Sequence, residues 1–253
     1  MKRKLIVIGL ILATAIVITV SFIYAKHSTQ TQITKIYNLI LLDKSGSMNR
    51  IQEAAYKGCN EVLTSIHSAQ NMYASSQKHF VSLMLFDSYS MPYIHKLTPA
   101  NETIDLKEND YCPQGLTPLL DAMGYALMEL KTEVEKQDFA VGVVTIITDG
   151  LENDSREWNT NSIANLVDEL KEMGWTFAFI GTNQDVMVES QKLHIDNSMQ
   201  FEYNEDGIRE AWSHEKKART DYYKRVSEDR YDKMSQEQLR KTLRQKGENY
   251  YSN

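Results

Sequence analysis

The sequence predicts a doubly wound α/β domain built on a mostly parallel sheet. Three observations lead there. Short apolar runs at 36–42, 80–86, 141–148 and 176–181 have the length and composition of strands buried on both faces. Segments with helical spacing separate these runs, and such alternation builds parallel sheets covered by helices. The first and third runs are each followed directly by an aspartate, Asp43 and Asp149. In open sheets of this kind, ligands gather beyond the carboxyl ends of strands where the strand order reverses.

Taken in order, residues 27–35 are polar and read as a linker, and 36–42 form the first strand. Ile51, Ala55, Val62 and Ile66 recur on one helical face, which predicts a helix over 51–69. A second strand follows at 80–86. Residues 92–97 suit an edge strand, where Pro92 is tolerated. The stretch 98–115 reads as loop. Pro118 opens a helix to 135, since proline fits the first turn. A strand at 141–148 precedes a helix over 162–173 that stops at Gly174. A strand at 176–181, a short helix at 184–193 and a last strand at 199–203 close the domain near His214. Ile208, Ala211 and Trp212 then share one helical face. From Glu215 onward charges dominate, and 215–253 reads as a charged, solvated helical tail or a docking segment. Ser235 to Gln238 resembles a capping box ahead of Leu239 and Leu243.

The chemistry concentrates in three short segments. Asp43-Lys44-Ser45-Gly46-Ser47 places one carboxylate and two hydroxyls at alternate positions just past a strand, with a glycine that lets the loop bend. Gly115-Leu116-Thr117-Pro118 sets a threonine before a helix. Thr145-Ile146-Ile147-Thr148-Asp149-Gly150 ends a strand in aspartate and glycine. All of these side chains offer oxygen, the donor that hard cations such as Mg²⁺ prefer. Read alone, aspartate and serine after a strand are commonly turn and cap residues.

Together the three segments resemble the metal-ion-dependent adhesion site of von Willebrand factor A (VWA) domains, the fold shared with integrin inserted domains. The resemblance covers roughly residues 36–214 and implies a Rossmann-like VWA fold. It implies that Ser45 and Ser47 coordinate Mg²⁺ directly, that Thr117 does so in the ligand-ready state, and that Asp43 and Asp149 bind directly or through water, with Mn²⁺ as a possible substitute. It also implies a protein partner that presents an Asp or Glu carboxylate to the ion, and a helix after the last strand, from Asp206 to about Tyr223, that moves on capture. With only two carboxylates in the proposed shell, the cation stays electrophilic enough to take a third from outside. The alternative is a scaffold or assembly subunit of an envelope or stress-response complex in which the metal is mainly structural. Asp121 lies one turn beyond Thr117 and reads either as its orienting group or as a surface carboxylate. Asp87 reads as a turn residue, and Glu152 and Asp154 as added negative potential.

Composition narrows the partners. Net charge is −6 over 253 residues. Residues 27–206 carry 12 Lys+Arg against 26 Asp+Glu, whereas 207–253 carry 12 against 8. An acidic body disfavours nucleic acid. Lys2-Arg3-Lys4 precedes an uncharged, mostly apolar stretch at 5–24, long enough for a membrane-spanning helix. The basic cluster favours a cytoplasmic N-terminus, so the expectation is a single-pass membrane protein with the domain outside. The alternative is a secreted or periplasmic protein after signal cleavage near Ala25. Two cysteines, Cys59 and Cys112, allow one disulfide; Cys59 reads as a buried hydrophobe.

An enzyme is not expected. An aspartyl-nucleophile phosphatase needs a second aspartate two positions after Asp43, where Ser45 stands. The sequence has no G-x-S-x-G elbow and no G-x-x-x-x-G-K-[ST] loop, and none of its six histidines lies in a motif that supplies a base.

Overall fold

The sheet is organised around β1 (Thr34–Asp43), which is apolar and buried along nearly its whole length and therefore takes a central position. A computed structural model describes residues 33–182, 184–229 and 231–251. β1 pairs in parallel with β2 (Gln77–Phe86) on one side and β4 (Ala140–Ile147) on the other. The strand order is β3-β2-β1-β4-β5-β6, with β3 (Tyr93–Pro99) antiparallel to β2 and with β5 (Thr176–Gly181) and β6 (Ser198–Gln200) parallel on the far side. The chain thus winds outward from β1 in both directions. The reversal falls between β1 and β4, and Asp43 and Asp149 sit at their carboxyl ends.

Helices cover both faces. They are α1 (Gln52–Met72), α2 (Leu119–Val134), α3 (Thr160–Glu172), α4 (Gln184–Lys192), α5 (Glu205–Ser227) and α6 (Gln236–Glu248). Side chains alternate across a strand, and β1 shows the division. Leu39 meets Ala126 and Leu130 of α2, while its neighbour Asn38 accepts a hydrogen bond from Arg219 of α5. Close packing depends on three glycines facing tryptophans. A Cβ on Gly58 would fall 2.0 Å from the Trp212 ring, one on Gly124 2.2 Å from Trp158, and one on Gly142 2.3 Å from Trp175. Gly58 therefore fixes how closely α1 and α5 approach.

The regular elements follow the sequence pattern with longer strands. Thr34, Gln77 and His79 extend β1 and β2 because each is buried in the ladder despite being polar. Residues 46–51 form a 3₁₀ turn leading into α1. The last strand is three residues long and ends before Phe201.

The C-terminal region departs most from expectation. The boundary foreseen at His214 falls inside α5, which continues to Ser227 and buries Glu215, Arg219, Tyr222, Tyr223 and Val226. The capping box at Ser235 forms: its hydroxyl accepts from Gln238 N–H while Gln238 Oε1 accepts from Ser235 N–H. It sets α6 with Leu239 and Leu243 buried, and Gly247 lies against Thr176 of β5. Charges read as solvated thus include two, Glu215 and Arg219, that close the core.

Single-pass membrane localisation is corrected. Among the described residues no helix is long and apolar enough to cross a membrane. The two longest, α1 and α5, interleave charged residues with their apolar faces. The segment 5–24 on which that expectation rested lies outside the described residues. Cys59 is buried and Cys112 exposed, and both are free thiols.

Candidate metal centre

Three loops meet at the crevice beyond β1 and β4. The first follows β1. Asp43 is fully buried; its Oδ1 accepts from Ser45 N–H at 2.6 Å and its Oδ2 from the Thr148 hydroxyl at 2.7 Å. The Tyr111 hydroxyl donates to the Asp43 carbonyl at 2.7 Å. Lys44 is buried too, but it turns away to pair with Asp87 and Ser90. The lysine inside the motif therefore neutralises a different carboxylate and leaves Asp43 uncompensated.

Ser45 and Ser47 place their hydroxyls 3.2 Å apart. Two oxygens about 2.1 Å from Mg²⁺ and at right angles to each other lie roughly 3.0 Å apart, so this pair matches two adjacent corners of an octahedron. Ser47 is exposed and donates to Asp149 Oδ1 at 2.6 Å. The other oxygen, Asp149 Oδ2, is buried with no hydrogen-bond partner. Gly150 completes the crowding: a Cβ there would lie 3.4 Å from Thr117 Oγ1 and 3.7 Å from Ser47 Oγ. The fold thus brings Asp43, Ser45, Ser47, Thr117 and Asp149 to one crevice. Among the described residues no three His, Cys, Asp or Glu cluster as metal ligands, so a cation here would depend on the hydroxyls.

The electrostatics follow from burial. Desolvation raises the Asp43 carboxyl to about 7, against the lowering effect of its hydrogen bonds from Thr148 and Ser45. Desolvation also raises Asp149, opposed first by its hydrogen bond from Ser47. Two buried carboxylates share the crevice, and among the described residues no Lys or Arg forms an ion pair with either. A divalent ion would supply the missing charge, and the donor set fits one.

Several contributors are not evident from the sequence. Asn153 brackets Thr117, accepting from its N–H at 2.8 Å and donating its own N–H to the Thr117 carbonyl at 3.1 Å. Thr148 ties Asp43 to the Gly150 turn, accepting from Gly150 N–H at 3.1 Å. Tyr203 reaches in from the β6–α5 loop and donates to the Ser47 carbonyl, with Arg50 5.3 Å from the centre of its ring. Thr148 lies within the strand-end segment at 145–150 that the sequence marks; the others carry no local signal.

The neighbouring carboxylates have other tasks. Asp121 accepts from the N–H groups of Arg156, Glu157 and Trp158 at 2.8–3.0 Å, so it shapes the loop before α3 instead of orienting Thr117. Glu152 accepts from Leu120 N–H and from Ser155, fixing the same loop. Asp87 is a turn residue, as expected: its Oδ1 accepts from the N–H groups of Tyr89 and Ser90.

No family model matches the chain and no curated protein does. Solved structures match with confidence at low identity. The VWA domain of SpRpn10 is 12% identical with a TM-score of 0.50, over 72% of this chain and 94% of that one. The fold is of the von Willebrand factor A type. The pilus adhesin SpaC from Lactobacillus rhamnosus GG, in its open conformation, is 14% identical with a TM-score of 0.56, over 77% of this chain. A variant of the PilB minor pilin from Streptococcus sanguinis is 14% identical with a TM-score of 0.50, also over 77%. The VWA-like chain spans 63% of that pilin and 31% of the adhesin.

Proposed function

We propose that the domain is a metal-dependent protein-interaction or adhesion module that captures a partner's Asp or Glu carboxylate on Mg²⁺, with Mn²⁺ able to replace it. The observation that carries this reading is the buried, unpartnered Asp149 Oδ2 beside two hydroxyls at octahedral spacing. Ser45, Ser47 and Thr117 would hold the ion directly, and Asp43 and Asp149 directly or through water. Bound there, the ion would supply the electrophile that attracts a partner's carboxylate. The chain's own residues do the rest. Asn153 fixes Thr117, Thr148 orients Asp43, and Asp87 keeps Lys44 out of the crevice. Exposed Tyr89, Leu116 and Leu151 flank the loops and offer apolar contact around the charge. An adhesive role is in keeping with the pilus adhesin among the structural neighbours. The proposed role is binding and not catalysis, since Ser45 stands where the phosphatase acid would be.

A second reading draws on Asp43, whose two oxygens are both satisfied within the protein. In it, the domain is a scaffold subunit and the ion is structural. One experiment addresses both. The purified chain is titrated with Mg²⁺ and Mn²⁺ by calorimetry, beside Asp149→Ala. We expect heat from the native chain, loss of heat in the variant, and a gain in thermal stability with occupancy, about 2.7 kcal/mol at a hundredfold excess over Kd. No heat with either ion at millimolar concentration rejects the site. The loaded chain is then passed over immobilised aspartate- and asparagine-bearing peptides. Retention on aspartate alone supports capture; metal binding without retention on either supports the scaffold.

A further inference from the structure

The sheet's far edge carries a second candidate site, remote in sequence from the metal loops. β6 is the outermost strand. Phe179 N–H donates to the Asn197 carbonyl at 2.9 Å and Phe201 N–H to the Gly181 carbonyl at 2.8 Å, with Met199 opposite Ile180. In a parallel ladder this register turns the backbone of 197, 199 and 201 toward β5 and that of 198 and 200 away from it. The Gln200 N–H and the Ser198 and Gln200 carbonyls therefore face outward, without a partner among the described residues. They open onto a groove of about 540 Å³ between β6 and α5.

The groove has a firm floor and a charged wall. The Tyr250 and Tyr251 hydroxyls donate to buried Glu215 at 2.9 and 2.7 Å, which pins both rings under the groove. Glu202, Asp206, Glu210 and Asp221 line it against Lys217 and His214. Among the described residues Lys217 and Asp221 make no ion pair, His214 lies 3.8 Å from Glu210 and Arg209 3.8 Å from Asp206. The wall is thus strongly acidic beside a row of unpaired backbone groups.

We propose that this groove accepts a basic, extended peptide as an added strand on β6. Backbone groups of the peptide would pair with Ser198 and Gln200, alternate Lys or Arg side chains would meet the α5 carboxylates, and apolar alternates would lie on the tyrosine floor. Charge selects the occupant. A second copy of this chain pairing edge to edge would set the same acidic lining against this one, and short charged edges disfavour self-pairing.

The test uses the full chain and a fluorescent peptide of alternating lysine and valine, followed by anisotropy at roughly physiological salt. A glutamate–valine peptide is the control. Gln200→Pro removes an outward N–H, a change that edge strands tolerate, together with the side-chain bond to the Thr182 carbonyl; the charge-reversed pair Glu210→Lys and Asp221→Lys leaves the backbone alone. We expect the basic peptide to bind and the acidic one to fail. Each variant should weaken binding about tenfold, and peptide should slow hydrogen exchange at Gln200. If Gln200→Pro unfolds the chain, the charge-reversed variant and the exchange measurement decide. Equal binding by native and charge-reversed chains, unchanged exchange at Gln200, or a native dimer that occupies β6 and excludes the peptide would each overturn the proposal. Binding is measured with divalent metal chelated, so the outcome does not depend on the adhesion-site reading.

Discussion

Arg219 offers the sharpest test of how α5 is held. Its side chain is fully buried, and all five N–H donors are engaged. Nε and Nη2 reach Glu215 Oε1 at 3.1 and 2.9 Å, Nη2 also reaches Thr145 Oγ1 at 2.5 Å, and Nη1 reaches Asn38 Oδ1 and the Tyr223 hydroxyl at 3.0 Å each. The partners close on one another: Thr145 donates to Glu215 and Tyr223 donates to Asn38. Arg219→Met keeps much of the volume and removes the cation. Glu215 would then be a buried carboxylate with hydroxyl donors but no counter-charge, which costs about 3–5 kcal/mol. For a domain of this size that is roughly a 10–15 °C fall in Tm.

Urea unfolding of four chains measures it: native, Arg219→Met, Glu215→Leu and the double variant. Removing both charges should restore stability to within about 2 kcal/mol of native, giving a favourable coupling of at least about 2 kcal/mol. A loss under about 1 kcal/mol for Arg219→Met, or a double variant as weak as the two singles added, would refute the idea that this pair organises the core.

Two further outcomes follow from nearby residues. His79 is buried, and desolvation first, then the charge of Arg219, lower it to about 3. An unfolded histidine titrates near 6.5, so below that pH only the unfolded chain takes the proton; stability is full above about 6.5 and is lost as pH falls toward 3. At pH 5 the loss is about 2 kcal/mol, and the difference between the native chain and His79→Gln in urea midpoint at pH 7.5 and pH 5 reads it, with parallel profiles counting against the assignment. Gly58→Ala would drive a methyl into the Trp212 ring; we expect a cost of about 1–3 kcal/mol and a shifted tryptophan emission, and an unaltered spectrum and melting curve would show that the α1–α5 contact is looser than described.

Much of the fold is legible because apolar runs mark parallel strands whatever their neighbours. β1, β2, β4 and β5 are each expected within a few residues of their observed bounds. The five candidate positions stand out for a related reason, since they fall at or just past the ends of β1 and β4 or just before α2. Glu215 and Arg219 mislead for a physical reason. An i,i+4 pair of opposite charge has the same sequence signature on a solvated helix as in a core, and only the partners on β1 and β4 distinguish the two. Asn153, Tyr111 and Tyr203 are equally silent, because their roles come from loops that meet only in the folded chain. Thr34, Gln77 and His79 break the apolar pattern at strand starts, so the sequence places those starts later than the structure does.

The same buried network bears on how the domain can respond to a ligand. The resemblance to VWA domains implies that the helix after the last strand shifts on capture, and that helix is α5. Its inner face is not a smooth apolar stripe. A slide of one turn, about 5.4 Å, would carry Arg219 away from Asn38 and Thr145 and draw Glu215 off the Tyr250 and Tyr251 hydroxyls. It would also pull Trp212 from the seat that Gly58 provides on α1. Greasy helices slide because one apolar contact replaces another at little cost, whereas each buried donor stripped here costs about 1–3 kcal/mol until it finds a new acceptor. The linkage expected between distant sites, typically 1–3 kcal/mol, is no larger than one such loss. If the proposed metal loops move on capture, Tyr203, which touches Ser47 from the β6–α5 loop, would carry the movement more readily than translation of α5 as a rigid rod. Weakening the network through Arg219→Met should then loosen α5 without abolishing the metal binding proposed for the loops, which separates the helix's anchoring from the chemistry of the site.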